Sequence, residues 1–186
     1  PVDYLTFDYL SEITMSIMQK QKMRNPETGY ALDFIKMLKM VLPQCKAKGI
    51  KIIANSGGVN GRACLRDTKA VIKELGLSGI KVAIVEGDDL MDRLDELAKA
   101  GEPLKNMDTG ESLAAVNDRI TSANVYIGAK PIVEALKQGA DIVITGRASD
   151  PSLVVAPLVY EFGWSMEDYD KLASATIMGH IMECGA

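Results

Sequence analysis

The chain reads as an α/β protein: a mostly parallel sheet with helices on both faces, in a Rossmann-like three-layer arrangement. Two observations predict this. Short apolar runs such as "IKIIAN", "KVAIV" and "DIVITG" are continuous rather than alternating, as strands covered on both faces must be. Between them lie stretches of helical period, so strand and helix alternate at about 30-residue intervals, the spacing of parallel crossover units. A segment of an α/β barrel would alternate in the same way and also put its turns on one face, so that architecture is the alternative.

In chain order, Val2 to Tyr9 is a strand, and Ser11 with Glu12 and Thr14 opens a helix patterned by Met15, Met18 and Met23. "RNPETG" is a turn cluster. From Tyr30 to Lys48 a second helix places Phe34, Met37, Leu38 and Val41 on one face, with Pro43 expected to shorten or kink it. "IKIIAN" is a buried strand. "NGRACLRDTKAVIKELGL" is a helix ending at Gly76, "KVAIVEGDD" the next strand and "DLMDRLDELAKAG" its helix. Residues 102–124 are less regular and read as a flap or a loop with one short helix. "NVYIG" leads into the helix "KPIVEALKQGA", with Pro131 in its first turn. "DIVITG" is the last strand, followed by the helices "PSLVVAPLVYEFG" and "SMEDYDKLASATIMGHIMEC". No repeat and no low-complexity segment interrupts this pattern, so residues 1–186 are read as one domain.

Composition bounds the function. With 47% hydrophobic and 25% charged residues in 186, the chain is long enough to bury roughly 70% of its unfolded surface. A net charge of −4 gives no basic field, which argues against nucleic acid or an anionic membrane as partner. The apolar runs are far shorter than the ~20 residues of a membrane span, and no basic-then-apolar leader opens the chain. Cys45, Cys64 and Cys184 are odd in number and widely spaced among ten methionines, which suits a reducing compartment, and the cytoplasm is the expected location. The chain opens on Pro1 and closes on "MECGA" directly after a helical pattern, so a fragment of something longer is expected, whose other parts cover bare sheet edges.

In open α/β sheets ligands bind outside the carboxyl ends of the strands. The residues that follow each strand are therefore the informative ones. They are Asp8; "NSGGVNG" from Asn55 to Gly61; "EGDD" from Glu86 to Asp89; and "GRASD" from Gly146 to Asp150. The stretch "NMDTGE", Asn106 to Glu111, is expected to fold over the same edge. Each has a plainer reading. Asn60 can cap the following helix while Gly57 and Gly58 only make the turn. Asp88 or Asp89 can be an N-cap, and Asp150 before Pro151 fits a cap with a first-turn proline. Arg147 has no such use, because a helix N-terminus disfavours a guanidinium. It needs either a carboxylate partner or an anionic ligand.

Other motifs carry less. His180 shares a helix face with Glu183 and Cys184, but with no second metal-like spacing a core-facing or capping histidine is expected, and no metal. Cys64 and Cys45 read as small apolar residues. "SGGVNG" lacks the lysine and hydroxyl of a phosphate-binding loop. Its Gly58 to Gly61 spacing matches only the second half of a dinucleotide fingerprint, with Glu86 where a ribose-binding acid would stand.

The blocks "FDYLSEITMSI", "NSGGVN", "VEGDDL", "NMDTGE", "PIVEALKQGADIVITGRASDPSL", "EFGW" and "GHIMECGA", in this order, resemble the AtuA-like acyclic terpene utilisation family across nearly the whole chain. The resemblance implies a longer protein, with a further strand and glycine-rich turn before Pro1 and a continuation past "ECGA". It also implies a bacterial catabolic role on acyclic terpenes such as citronellol and geraniol, whose oxidised forms are handled as branched acyl-CoA thioesters. CoA is then expected only as part of the substrate. The matching blocks contain the same turn residues: Asn55, Gly57, Gly58, Asn60, Glu86, Asp88, Asp89, Asn106, Asp108, Arg147 and Asp150.

Carboxylates opposite an arginine suit proton abstraction beside a thioester or carboxylate, as hydration, dehydration and isomerisation of an unsaturated acyl chain require. The expected roles are Glu86, Asp88 or Asp108 as acid/base and Arg147 as anion clamp. Asn55, Gly57, Gly58, Asn60, Asp89, Asn106, Gly146 and Asp150 are the expected ligand-binding groups, with Gly57 and Gly58 offering backbone amides. The alternatives are a dinucleotide-dependent oxidoreductase and a non-catalytic subunit of a catabolic complex. A small-molecule substrate, in a homo-oligomer or larger assembly, is the expected partnership.

Overall fold

A computed structural model describes residues 2–102 and 104–185. Pro1 and Ala186, the ends of the stretch read as one domain, and Pro103 in the irregular stretch lie outside the described residues. Four short strands, β1 (Tyr4–Phe7), β2 (Lys51–Ala54), β3 (Val82–Val85) and β4 (Ile142–Thr145), pair in parallel in the order β1-β2-β4-β3. The sheet is open, so the three-layer reading holds and the barrel alternative does not describe it.

The helices are α1 (Glu12–Arg24), α2 (Leu32–Lys48), α3 (Gly61–Glu74), α4 (Leu94–Lys99), α5 (Lys130–Lys137), α6 (Ser152–Phe162) and α7 (Tyr169–Cys184). Successive side chains of a strand point to opposite faces, and this sorts the core into two halves. Ile52, Ile142 and Ile144 face α1, α2 and α3, with Phe34, Leu38 and Val71 at their centre. Ile53 and Val143 face α5, α6 and α7, with Ile132, Leu136 and Leu153. Register pairs Ile52 with Ile142 and Ile53 with Val143, so each half of the core is continuous across the sheet.

Several local expectations shift. Met37 and Met23 are exposed. The buried face of α2 is Phe34, Leu38, Leu42 and Cys45, one position round from the stripe that included Met37 and Val41. Pro43 does not shorten α2, which continues to Lys48 and ends on Gly49 in the left-handed region, φ 70°. Ser11 and Thr14 form a reciprocal capping box at the start of α1, with Ser11 N–H donating to Thr14 Oγ1 at 2.6 Å. The helix expected from Asp89 reduces to a 3-10 turn, Met91–Arg93, and the six residues of α4. No helix among the described residues is long and apolar enough to cross a membrane.

Topology fixes where a ligand can enter. The chain leaves β2 over one face through α3, passes the position of β4 to reach β3, and returns to β4 through α5 on the other face. It then leaves β4 for α6 on that second face. The connections after the neighbouring strands β2 and β4 therefore leave on opposite faces at the carboxyl edge, the place where open α/β sheets form a ligand crevice.

Candidate functional site

The crevice is built by three turns. Gly57 lets β2 and β4 close up, since its amide donates to Thr145 O at 2.9 Å and a Cβ there would lie 2.7 Å from that oxygen. Gly58 has φ 53°, and a Cβ on it would meet Met18 Sδ at 2.5 Å. The amide expected to serve a ligand at Gly57 is thus already engaged. Asn60 is the N-cap of α3: its side chain accepts from Ala63 N–H and donates to Pro26 O and Thr28 O at 2.8 and 2.7 Å. Asn55 is fully buried, accepting from Tyr9 N–H at 2.7 Å and donating to Asp8 Oδ1 at 2.6 Å, which ties the end of β1 to β2.

Beyond these turns lies a cleft of about 250 Å³, lined by Gly58, Arg62, Glu86, Asp88, Asp89 and Gly146 among others. Lys22 reaches it with its ammonium on Val59 O at 2.7 Å, and Arg62 at the start of α3 pairs with Glu86 at 2.9 Å. Sequence reasoning missed both cations, which stand on helices with no local mark; Arg62 could have been found from its place in the first turn after "NG". The cleft therefore brings two cations and a helix N-terminus together with the carboxylates of Glu86, Asp88 and Asp89.

Asp88 is the buried carboxylate of the cleft, 6% exposed. It caps no helix. Its Oδ2 accepts from Arg147 N–H at 2.8 Å and from Asn124 Nδ2 at 3.0 Å, joining the β3 and β4 turns. Burial pushes its carboxyl above the usual aspartate range, helped by Asp89 and opposed by the amides and Asn124 that donate to it. Gly146 makes room for it, because a Cβ there would sit 2.3 Å from Asp88 Oδ1. Asp89 accepts from Met91 N–H at 3.0 Å and starts the 3-10 turn.

On the far side of Asp88 the chain builds a second polar cluster around Arg147. The Arg147 side chain is buried, and its guanidinium stacks on Tyr126 with Cζ 4.2 Å from the ring centroid. Nη1 donates to Leu10 O at 2.5 Å and lies 3.2 Å from Asp150 Oδ1; Nη2 lies 3.5 Å from Glu12, which also accepts from the Tyr126 hydroxyl. Of the two partners that the sequence left open for Arg147, carboxylates are present. Asp150 is not a cap, since α6 begins without a side-chain cap. Its Oδ1 is buried beside Arg147 without a hydrogen-bond donor, and its carboxyl is raised by burial and by Asp8, Glu183 and Glu12, against the pull of Arg147.

Asn106 and Asp108 are not among the residues lining the cleft of Asp88; Asn106 lines a second hollow with Leu90, Glu111 and Asn124 among others. Asn106 Oδ1 accepts from the Asp108 and Thr109 amides, both at 2.9 Å, and no ion pair among the described residues reaches Asp108. His180 is exposed, not core-facing, whereas Cys45 and Cys64 are buried as expected of small apolar residues.

A family model described as "Acyclic terpene utilisation family protein AtuA" matches residues 1–186. The chain belongs to this family. Nothing matches it among the curated proteins or among the solved structures. Membership in the AtuA family implies a role in acyclic terpene utilisation.

Proposed function

We propose that the chain performs proton-transfer chemistry of the hydratase, lyase or isomerase type on a small branched or isoprenoid carboxylate or its acyl-CoA thioester, with Asp88 as the acid/base. The observation that carries this reading is Asp88 itself: a buried carboxyl, raised above its ordinary range, lining a cleft and held in place by two donors. A carboxylate so raised takes a proton from carbon more readily than an exposed one, and can return it to a different carbon or to a leaving oxygen.

Arg62, Lys22 and the N-terminus of α3 line the same cleft and suit the negative charge that such a step develops, with Glu86 holding Arg62 through a bidentate pair at 2.9 and 3.2 Å. Arg62 is exposed where Arg147 is buried, so an incoming anion can exchange with Glu86 on its guanidinium, and the anion-clamp role is given to Arg62. A cleft of about 250 Å³ accommodates a carboxylate or thioester head group, with the remaining acyl or CoA portion outside. CoA enters as part of the substrate.

The dinucleotide alternative has weaker support. A ribose-binding acid belongs on the strand beside the glycine turn, but β4 lies between β2 and β3, which puts Glu86 about 10 Å across the sheet. A thermal-shift panel of the full chain with branched unsaturated acyl-CoAs, terpenoid acids, CoA, NAD and NADP tests the choice. The expected result is stabilisation by an acyl-CoA or acid that is lost in Arg62→Ala. Stabilisation by NAD alone would favour the oxidoreductase, and none at all a non-catalytic subunit.

A further inference from the structure

The helical pair α6 and α7 brings the chain back to the carboxyl edge of the sheet. α6 leaves that edge at Ser152, and α7 returns along it, packing so tightly at Gly179 that a Cβ there would lie 2.9 Å from Pro151 Cα. The last turn of α7 therefore arrives beside Asp150. It carries His180, Glu183 and Cys184 at the i, i+3 and i+4 positions of one face.

Their ligand atoms already converge. His180 Nδ1, a Glu183 carboxylate oxygen and Cys184 Sγ lie within 4.8 Å of one another. Cys184 Sγ is 3.7 Å from His180 Nδ1 and 2.9 Å from Glu183 Oε2, to which the thiol donates. Ligands bound tetrahedrally to a zinc-sized ion stand about 3.5 Å apart, so side-chain adjustments of a few tenths of an ångström up to about 1.3 Å close the set.

We propose that His180, Glu183 and Cys184 form a binding site for one divalent transition-metal ion. An imidazole, a thiolate and a carboxylate select a borderline ion such as Zn²⁺ over Mg²⁺ or Ca²⁺, which prefer all-oxygen sets. Three protein ligands leave a fourth position for water or a substrate oxygen, the arrangement of an open zinc site rather than a closed structural one. The exposure of all three side chains leaves that position accessible from solvent. Binding releases the thiol proton, which now rests between Cys184 and Glu183. The claim concerns metal binding alone and does not depend on the chemistry proposed for Asp88.

The test uses the full, untagged chain, stripped with a chelator and titrated with Co²⁺, followed by competition with Zn²⁺. The expected result is one ion per chain with a thiolate-to-cobalt charge-transfer band, displaced by Zn²⁺ and not by Mg²⁺. Cys184→Ser is expected to abolish the band, and His180→Ala to weaken binding by more than about 100-fold, the upper range for loss of a supporting group alone. All three side chains are exposed, so unchanged thermal unfolding of the metal-free variants will show that they fold. Absence of a charge-transfer band in the parent chain, or equal Co²⁺ affinity in parent and both variants, would overturn the site.

Discussion

Asp88 and Arg147 are both buried charges at the same sheet edge, joined by one hydrogen bond from the Arg147 amide to the Asp88 carboxylate. Their surroundings differ. Arg147 has a carbonyl, two carboxylates and an aromatic face arranged around its guanidinium, so the chain itself satisfies it. Asp88 accepts two N–H donors but pairs with no cation among the described residues, and it borders a cleft. A buried charge that the fold neutralises holds the fold together; one left uncompensated is available for chemistry.

The sharpest way to break this comparison is Arg147→Ala. It strands Glu12 and Asp150, unpairs Leu10 O and bares the Tyr126 ring, so a loss of roughly 2–3 kcal/mol in urea-unfolding stability is expected. If Arg147 instead served mainly a ligand, stability would hardly change. Gly146→Ala comes next. The added methyl collides with the Asp88 carboxyl, and a loss of about 1–3 kcal/mol is expected together with loss of turnover, because Asp88 must leave its two donors. An unchanged variant would mean that Asp88 is not held where it is.

The smallest effect is a pH dependence. Asp88 has a folded-state pKa above its ordinary 3.8, so the folded chain keeps that proton longer than the unfolded one. Its stabilising contribution is complete below 3.8 and is lost as pH rises through the folded value. Asp88→Asn removes this behaviour. The stability of the parent relative to Asp88→Asn is therefore expected to fall as pH rises from about 4 and then level off. A difference that is flat or rises with pH would place Asp88 in the ordinary carboxylate class.

Much of this was legible in the residues, and for physical reasons. Continuous apolar runs point to the parallel sheet, and strand-end turns must lie together on its carboxyl edge, so Asn55 to Asn60, Glu86 to Asp89 and Gly146 to Asp150 follow from the sequence. What each turn residue does was less legible. Asn60 as a cap follows from local backbone chemistry, whereas Asp88 and Asn55 act across strands, where sequence separation hides the partner. Helix-dipole chemistry narrows Arg147 to a carboxylate partner or an anion, and the partners it has, Asp150 and Glu12, are set by the fold. Asn106 holds its own turn together and lines a hollow with Leu90 and Asn124 rather than the cleft of Asp88, a placement that depends on tertiary contacts of the irregular stretch. The absence of a second metal-like spacing is what favours a core-facing or capping role for His180, yet α7 is buried only at Ala175 and Gly179. Strand order decided the rest, since the position of β4 between β2 and β3 is what weakens the dinucleotide pattern.

Central to the account is Asp88 as the group that moves a proton on a branched acyl substrate. Deuterium wash-in from D₂O into a 3-methyl-branched, α,β-unsaturated acyl-CoA, compared between the full chain and Asp88→Asn, measures this directly. The account predicts exchange at the acidic carbon in the parent chain, slowed at least about 100-fold in the variant while the thermal shift with the same ligand persists. Exchange at the parent rate in Asp88→Asn would contradict it.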